Sequence, residues 1–264
     1  MELFYIRGVI LTNEFKEKFL ISKFPLQNEK IDECILEDIE NQKPKKIYKF
    51  MDLSTDELDK LNSIKKGKLW VSSACKLNDP FECIFNIDSD HINSKDCSLL
   101  KMQWFENWVG ESIEQLKKQT YIASLTESKK SILMWSHYAN NHTGICIEYN
   151  FEEVERCQGD NFKLLPVIYK ENMADYIPEP NLEWLYRAYA CKAKEWAYEL
   201  EWRIIVQESS FKKGFLVDVI QPICIYLGCN MEDYKKEQIK EFFKDSKIKI
   251  KSMIKSKCKY EVLG

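Results

Sequence analysis

Apolar residues recur at helical spacing in two segments near the start of the chain, residues 14–21 and residues 31–39. Such spacing places the apolar side chains on one face of a helix. The next segment, 41–46, contains a proline and three lysines and interrupts the pattern. We therefore predict a helical N-terminal extension over residues 1–46, separable from a domain over residues 47–264.

The remaining chain alternates between short apolar segments typical of strands and longer segments with helical periodicity. Strands are predicted at 46–51, 68–72, 120–125, 144–149, 163–169, 214–219, 222–227 and 248–254, and helices at 54–64, 88–118, 132–139, 182–191 and 234–243. Neither glycine-rich phosphate loop, G-x-G-x-x-G or G-x-x-x-x-G-K-S/T, occurs between them, which disfavours a doubly wound nucleotide-binding fold. The order of elements predicts an α+β domain with a mixed, largely antiparallel sheet and flanking helices.

Several short motifs predict how these elements begin and end. Ser54-Thr-Asp-Glu57 has the form of a capping box that opens a helix, and Gly67 is positioned to end that helix. Asn230 with Asp233 is predicted to cap the last helix. Asn78 and Asp79, which precede a proline, predict an Asx turn.

The stretch 194–206 combines a charged approach with a short strand pattern. Because side chains alternate along a strand, Glu199, Glu201 and Arg203 would share one face, with apolar residues on the other. Two carboxylates and a guanidinium on one rigid face can hold a polar ligand. Taken alone, however, the stretch favours an ordinary half-buried strand whose charges pair with a neighbouring strand.

The predicted helix 132–139 carries an aromatic stripe, since Trp135 and Tyr138 are three positions apart. A stripe of this kind is more typical of a hydrophobic core than of a cofactor pocket. His137 in the same helix is similarly more often a structural, hydrogen-bonded histidine than a catalytic base.

The charge balance narrows the classes of partner. The chain has 39 basic and 42 acidic residues, a formal net charge of -3. A generic nucleic-acid clamp normally has a basic excess, so the composition argues against one and leaves only a local basic groove open. Aromatic residues make up 13% of the chain, which fits either a dense core or a stacking pocket.

Ten cysteines and three histidines suggest metal or disulfide chemistry until their spacing is considered. No C-x-x-C or H-E-x-x-H pattern occurs, so no metal site is expected. The N-terminus lacks an apolar signal segment, and no run of 18 apolar residues exists, so we expect no membrane association. Reduced thiols in a cytoplasm are the corresponding expectation.

A resemblance to a bacterial family emerges from motifs in a fixed order. They are Ile47-Tyr-Lys-Phe50, Gly67-Lys-Leu-Trp70, Leu77-Asn-Asp-Pro-Phe-Glu82, Met134-Trp-Ser-His-Tyr-Ala139, Gly144-Ile-Cys-Ile-Glu-Tyr149 and Trp196-x-Tyr-Glu-x-Glu-Trp-Arg203. Together they resemble the family catalogued as domain of unknown function 2971, over roughly residues 46 to 230. That family name implies no activity.

A second resemblance is to ADP-ribosyltransferases of the DNA-modifying toxin group. In both, a strand with an aromatic-basic-aromatic start, here residues 48–50, precedes a helix and a G-x-L strand, here at Gly67. Glu199-Leu-Glu201 has the E-x-E form of several transferases. The chain departs from the pattern in lacking an S-T-S strand and in having Lys49 where histidine or arginine is usual. The resemblance implies an ADP-ribosyltransferase-like fold with NAD as the substrate.

The resemblance also implies roles for individual residues. Glu201 would stabilise positive charge on the ribose, and Glu199 would activate the acceptor. Lys49 or Arg203 would pair with the pyrophosphate, and aromatic residues would stack on nicotinamide. The catalytic candidates are Glu201, Glu199 and His137, and the cofactor-binding candidates are Tyr48, Lys49, Asn78, Asp79, Trp135, Tyr138 and Arg203. All except Tyr48 and Trp135 lie at the ends of predicted elements, where sites are usually built, so we expect them to meet in one cleft.

Two other classes of function fit the same sequence. One is a non-catalytic module that binds a nucleotide or a nucleic-acid end, and the other is a structural domain that binds a partner through its helical extension. A toxin or defence setting, with nucleic acid or protein as the acceptor, follows only by analogy with the transferases.

Overall fold

The computed structural model describes residues 12–23, 33–83, 85–86, 110–111, 114–159, 162–175, 186 and 188–264. The helices that the structure describes from end to end are α1 (Asn13–Lys23), α2 (Glu33–Gln42), α3 (Glu57–Lys65), α4 (Ile132–Tyr138), α5 (Phe151–Arg156) and α6 (Asp233–Phe243). Short 3-10 segments occupy Ala74–Lys76 and Lys194–Glu199.

Most strands belong to one large sheet, and the others form small pairs. The strands are β1 (Lys46–Met51), β2 (Lys68–Ser73), β3 (Phe85–Asn86), β4 (Thr120–Thr126), β5 (Ile145–Asn150), β6 (Phe162–Pro166), β7 (Ile168–Lys170), β8 (Ala174–Asp175), β9 (Cys191–Ala193), β10 (Glu201–Gln207), β11 (Gly214–Asp218), β12 (Cys224–Leu227), β13 (Lys249–Ser252), β14 (Ile254–Lys255) and β15 (Val262–Leu263). The chain therefore has the predicted α+β composition.

The large sheet has nine strands in the order β11-β2-β4-β1-β5-β12-β13, with β10 paired to β4 and β6 paired to β10. The β12–β13 pair is parallel. The other pairs in this sheet are antiparallel. The prediction of a mixed, largely antiparallel sheet with flanking helices is confirmed.

The sheet divides at β4. One edge of this strand pairs with β10 along its full length. The other edge pairs with β1 only at Thr126 and with β2 only at Tyr121 and Ile122. Between these two partners, the carbonyl of Ser124 accepts a hydrogen bond of 2.9 Å from the Lys49 side chain. A strand edge that is not covered by a neighbouring strand leaves room for a cavity between β1 and β2.

The N-terminal helices share the hydrophobic core of the sheet. Phe19 of α1 is fully buried, and its ring meets the ring of Trp202 edge-on at 5.2 Å. Phe15 and Ile39 belong to the same cluster of buried residues. The sequence boundary near residue 46 therefore does not separate two hydrophobic cores, and the division of the chain into two folding units stays a prediction.

The structure corrects two of the predicted helix caps. Helix α3 begins after Asp56, which adopts a left-handed conformation and makes no side-chain cap, while Ser54 bonds to Asp52 instead. Helix α6 follows Glu232 without a side-chain cap, and Asn230 donates to the carbonyl of Asn141. Both predicted side-chain caps are thus wrong, because each polar side chain has a closer partner.

Two other local predictions are confirmed. Gly67 has a φ of 69° just after α3, a conformation that glycine adopts without steric cost. Asp79 accepts a hydrogen bond of 2.9 Å from the backbone of Phe81, which is the predicted Asx turn.

Two predicted strands are each divided. The backbone of Val167 donates to Glu201, whereas that of Ile168 donates to Ala190, so the chain changes partner between β6 and β7. The backbone of Met253 donates to Leu227 between β13 and β14.

Of the predicted helix 88–118, the segments 110–111 and 114–118 are helical, and the rest lies outside the residues that the structure describes, as does half of 182–191.

Candidate functional site

A corner in the backbone separates the two glutamates of the E-x-E motif. Glu199 ends a 3-10 segment, Leu200 has a left-handed φ of 47°, and β10 begins at Glu201. Thr126 donates to the carbonyl of Glu199 at 2.6 Å, and the backbone of Glu127 donates to that of Leu200 at 3.2 Å. The prediction that Glu199 lies on the strand is therefore wrong, because the left-handed residue turns the chain just before the strand.

The polar face of β10 is buried rather than half-exposed as the strand pattern predicted. Arg203 is 0% exposed and Glu201 is 2% exposed. The Nε and Nη2 atoms of Arg203 donate to the two oxygens of Glu201 at 2.9 Å and 3.0 Å. Arg203 also donates to the carbonyl of Tyr189 at 2.9 Å and to the carboxylate of Glu82. This network holds Glu201 in one orientation.

Lys192 connects the three carboxylates of the cluster. Its Nζ lies 2.6 Å from Glu199 Oε2, 3.1 Å from Glu82 Oε1 and 3.4 Å from Glu201 Oε2. The side chains of all four residues are no more than 6% exposed. Burial of three carboxylates is therefore balanced by the nearby cations of Lys192 and Arg203.

The environments of the two E-x-E carboxylates drive their pKa values in opposite directions. Burial alone would raise the pKa of Glu201, but the charges of Arg203 and Lys192 outweigh it and lower the pKa to about 2. For Glu199, burial and the charge of Glu201 raise the pKa above its ordinary value. Two carboxylates with separated pKa values can divide the roles of a fixed charge and a proton acceptor.

Tyr138 of α4 completes the polar environment of Glu199. Its hydroxyl donates to Glu199 Oε1 at 2.5 Å. Burial, followed by this hydrogen bond and the carboxylate charge, raises the pKa of the Tyr138 hydroxyl. The phenol therefore stays a hydrogen-bond donor at neutral pH, and it fixes the side of Glu199 that faces α4.

These groups form one wall of a small inner cavity at the divided edge of β4. The cavity has a volume of about 70 Å³. It is lined by Tyr48, Lys49, Phe50, Leu77, Asn78, Asp79, Glu82, Ser124, Leu125, Thr126, Met134, Tyr138, Lys192, Trp196, Glu199 and Glu201. A larger outer cavity of about 660 Å³ adjoins it between β1, α3 and β2.

Lys49 lies where the two cavities meet, since it lines both of them. Its Nζ donates to the carbonyl of Ser124, and it forms no ion pair with any acidic side chain in the described part of the chain. Burial lowers the pKa of Lys49, although the charges of Glu201 and Glu199 act in the opposite direction. A cation that lacks a paired carboxylate is suited to receive an anionic group of a ligand.

The structure brings together most of the residues that the sequence predicted as a cleft. Lys49, Asn78, Asp79, Tyr138, Glu199 and Glu201 line the inner cavity, as does the cofactor candidate Tyr48. Arg203 does not line the cavity, but it donates a hydrogen bond to Glu201.

The other two candidates lie away from the cavity. The indole of Trp135 is fully buried against Phe50 at 5.1 Å and donates to the carbonyl of Lys129 at 2.7 Å. Its position is therefore that of a core residue rather than a stacking surface. His137 is exposed, and its ring lies near the rings of Tyr138 and Tyr198 on the outside of the helix.

Of the cavity residues that were not candidates from the sequence, Glu82, Lys192 and Trp196 belong to the charged wall. Glu82 and Trp196 lie in motifs of the family resemblance, and those motifs are the signal that could have found them. Lys192 lies in a three-residue strand with no distinctive pattern, and only its contacts reveal its role. Trp196 lies with Lys192 over its ring, at 4.7 Å from the centroid. Strand and helix periodicity cannot predict such contacts, because they join segments that are distant in sequence.

Among the described residues, no group of three or more His, Cys, Asp or Glu side chains is arranged to hold a metal ion. In the same residues, Cys75, Cys83, Cys146, Cys157, Cys191, Cys224, Cys229 and Cys258 form no disulfide bond. No helix in the described ranges has the length and apolar character needed to span a bilayer.

Comparison with known proteins gives one match. No curated protein and no solved structure matches the chain. Residues 134–204 match the model of a family described as Protein of unknown function (DUF2971). This segment runs from α4 into β10, and so it includes Tyr138, Lys192 and the E-x-E motif. Residues 134–204 are thus similar to a family whose description states no activity.

Proposed function

We propose that this chain is an NAD-dependent ADP-ribosyltransferase and that the inner cavity binds the ribosyl-nicotinamide end of NAD. The observation that carries the proposal is the pair of E-x-E carboxylates on one wall of the cavity, with their pKa values shifted in opposite directions. Separate roles for two nearby acidic groups are a common feature of catalytic sites.

Glu201 is suited to stabilise the transition state. Breaking the bond between nicotinamide and ribose builds positive charge on the anomeric carbon. A carboxylate that is already ionised and held in place stabilises that charge without reorganising. The pKa of about 2 keeps Glu201 ionised, and Arg203 and Lys192 fix its position.

Glu199 is suited to act on the acceptor. Its pKa is raised by burial and by the charge of Glu201, which makes its carboxylate a better proton acceptor than an exposed glutamate. Its carboxylate lines the cavity, and hydrogen bonds donated by Tyr138 and Lys192 hold its two oxygens in place. In the proposed reaction, Glu199 takes the proton of the attacking group as the new glycosidic bond forms.

The sizes of the two cavities support a division of the ligand between them. A buried water needs roughly 10–15 Å³ of cavity volume, so the inner cavity of about 70 Å³ can hold one end of a dinucleotide but not the whole molecule. The outer cavity of about 660 Å³ has the size of a typical ligand site. Lys49 at their junction is positioned to pair with the pyrophosphate.

A second candidate function is a non-catalytic pocket for a nucleotide or a nucleic-acid end. Both oxygens of Glu201 accept hydrogen bonds from Arg203, which favours a structural charge pair over a group that acts on a substrate. In this alternative, Lys49 and the aromatic residues of the cavity bind the ligand, and no reaction follows.

Two measurements on the purified full-length chain distinguish these functions. A ligand that binds only the folded state raises its melting temperature, so NAD and ADP-ribose should each raise it if the chain is a transferase, and nucleotides or nucleic-acid ends should raise it if the chain is a binding module. Incubation with NAD and candidate DNA, RNA or protein acceptors should release nicotinamide only if the chain is a transferase. Binding without nicotinamide release would support the binding module. No release together with an unchanged melting temperature in NAD and ADP-ribose would contradict the transferase, and no shift with nucleotides or nucleic-acid ends either would contradict both functions.

A further inference from the structure

A second cluster of reactive side chains lies at the end of α4, away from the E-x-E cavity. The Sγ of Cys229 lies 3.7 Å from Nδ1 of His142, and Nε2 of His142 lies 3.2 Å from Oγ of Ser136. Cys229 and His142 are both partly buried. A thiol, an imidazole and a hydroxyl thus lie in a continuous line.

The hydrogen bonds of Ser136 determine which nitrogen of His142 carries the proton. The hydroxyl of Ser136 donates to the carbonyl of Ile132 at 2.9 Å, so its single proton is already used. Its oxygen can then only accept from His142, which requires the proton on Nε2. The remaining nitrogen, Nδ1, is left as a proton acceptor and faces the thiol of Cys229.

The imidazole is held firmly in this position. Its ring lies parallel to the ring of Trp135, at 12° and with centroids 6.1 Å apart. A Cβ added at Gly228 would lie 2.1 Å from the carbonyl oxygen of His142, so only glycine allows the two segments to approach. The backbone of Asn230 donates to the same carbonyl at 3.0 Å. The loop that carries Cys229 is therefore fixed against the histidine.

The charge state of His142 suits a base. Burial, and then the positive charge of Lys255 on β14, lower the pKa of His142 below its ordinary value. The imidazole is therefore neutral at pH 7, and Nδ1 is free to take a proton. Reactivity of a cysteine depends on its thiolate, which a neighbouring base or cation favours.

We propose that Cys229 is a site of thiol modification by low-molecular-weight disulfides, with His142 as the base. The thiol proton moves to Nδ1 of His142, and the Cys229 thiolate attacks one sulfur of the disulfide. A new sulfur–sulfur bond forms as the original one breaks, and the departing thiolate takes the proton from His142. Cys229 is oxidised to a mixed disulfide, and the reagent is reduced to one thiol.

Cys157 provides a matched comparison within the same molecule. It is also partly buried, but its thiol donates to the backbone carbonyl of Glu153 at 3.4 Å. Burial, and then the negative charge of Glu153, raise the pKa of the Cys157 thiol. Both cysteines are thus partly buried, but the sulfur of Cys229 lies beside an imidazole and that of Cys157 beside a backbone carbonyl.

The test uses the reduced full-length protein with glutathione disulfide at pH 7, and mass spectrometry follows each cysteine-containing peptide over time. Cys229 should form the mixed disulfide at least about tenfold faster than Cys157. His142→Gln should slow Cys229 by a similar factor and leave Cys157 unchanged. Equal rates for the two cysteines in the wild-type protein would overturn the proposal, and that comparison requires no variant.

Two further measurements separate the chemistry from a change in folding. Circular dichroism checks that His142→Gln is folded. Ser136→Ala removes the oxygen that holds the proton on Nε2, so it should slow Cys229 by a smaller factor. A folded His142→Gln protein in which Cys229 reacts at the wild-type rate would also overturn the proposal. None of these outcomes depends on NAD binding.

Discussion

Glu201 and Arg203, two residues apart on β10, form a two-point ion pair that solvent does not reach. Arg203 bonds in addition to Glu82, and Lys192 bonds to both glutamates. The site thus depends on a buried cluster in which the positive charges of Arg203 and Lys192 compensate the negative charges of the glutamates. Loss of one member leaves a buried charge without its partner, and that cost greatly exceeds the cost of losing an exposed ion pair.

Arg203→Met should lower the free energy of unfolding by about 3–5 kcal/mol, because Glu201 and Glu82 would keep buried charges without the guanidinium. Urea denaturation measures the change. Lys240→Ala is the matched control, since Lys240 pairs with Glu237 on the exposed face of α6. It should cost less than about 1 kcal/mol. Similar losses for the two variants would contradict the account of the buried cluster.

Lys16→Met should also destabilise the whole protein by about 3 kcal/mol or more. Lys16 of α1 is 1% exposed, and its Nζ lies 3.7 Å from the carboxylate of Glu127, next to the E-x-E corner. In Lys16→Met/Glu127→Gln both charges are removed, so the double variant should recover part of the loss. Thermal unfolding of both variants measures this. An unchanged melting temperature for Lys16→Met would mean that the Lys16–Glu127 pair does not couple α1 to the rest of the protein.

The two carboxylates should give opposite pH dependences of stability. The folded pKa of Glu201, about 2, lies below its ordinary value of 4.5, so its contribution is present above pH 4.5 and lost as the pH falls toward 2. The folded pKa of Glu199 is raised, so its contribution is present at low pH and lost as the pH rises through that pKa.

Unfolding free energies of the wild type, Glu201→Gln and Glu199→Gln across this range test the pH prediction. The advantage of the wild type over Glu201→Gln should shrink on acidification below pH 4.5. The difference in unfolding free energy between the wild type and Glu199→Gln should shrink as the pH rises. The same slope for both differences would mean that the two pKa values are not separated.

Lys49→Gln should weaken binding of ADP-ribose about 10- to 100-fold, the range expected for loss of a charge-assisted hydrogen bond. Nicotinamide riboside lacks the pyrophosphate, so its affinity should hardly change. Calorimetric titration gives both constants. Lys76→Gln removes a lysine that lines only the outer cavity and serves as the control. Equal weakening by the two substitutions would point to a general charge effect instead of a contact at Lys49.

Much of the fold follows from periodicity in the sequence. Strands such as β1 and β5 and helices such as α4 were predicted within about two residues, because alternation and helical spacing reflect burial directly. Prediction failed at Glu199 because a single left-handed residue, Leu200, places it outside the strand. That conformation is fixed by Thr126 and Glu127, which are distant in sequence.

The candidate site was predictable in part for a similar reason. Glu199, Glu201 and Arg203 are close together in the chain, so their proximity was visible from spacing. Lys192 and Glu82 join them only through tertiary contacts, and no local pattern distinguishes a lysine that balances buried carboxylates from one on the surface. The alternation of side chains along β10 predicts which residues share a face of the strand. It does not predict which other segments cover that face, so the burial of the charged face could not be predicted either.

In the proposed reaction, Glu201 stabilises charge that develops only in the transition state. The most direct test of this role is the rate of nicotinamide release at saturating NAD by the wild type and Glu201→Gln, each at a temperature where it is folded and binds ADP-ribose. Because Gln keeps the shape and removes the charge, the rate should fall by about a hundredfold or more. Glu237→Gln, an exposed change on α6, should leave it unaltered. An equal rate for Glu201→Gln and the wild type would contradict the account.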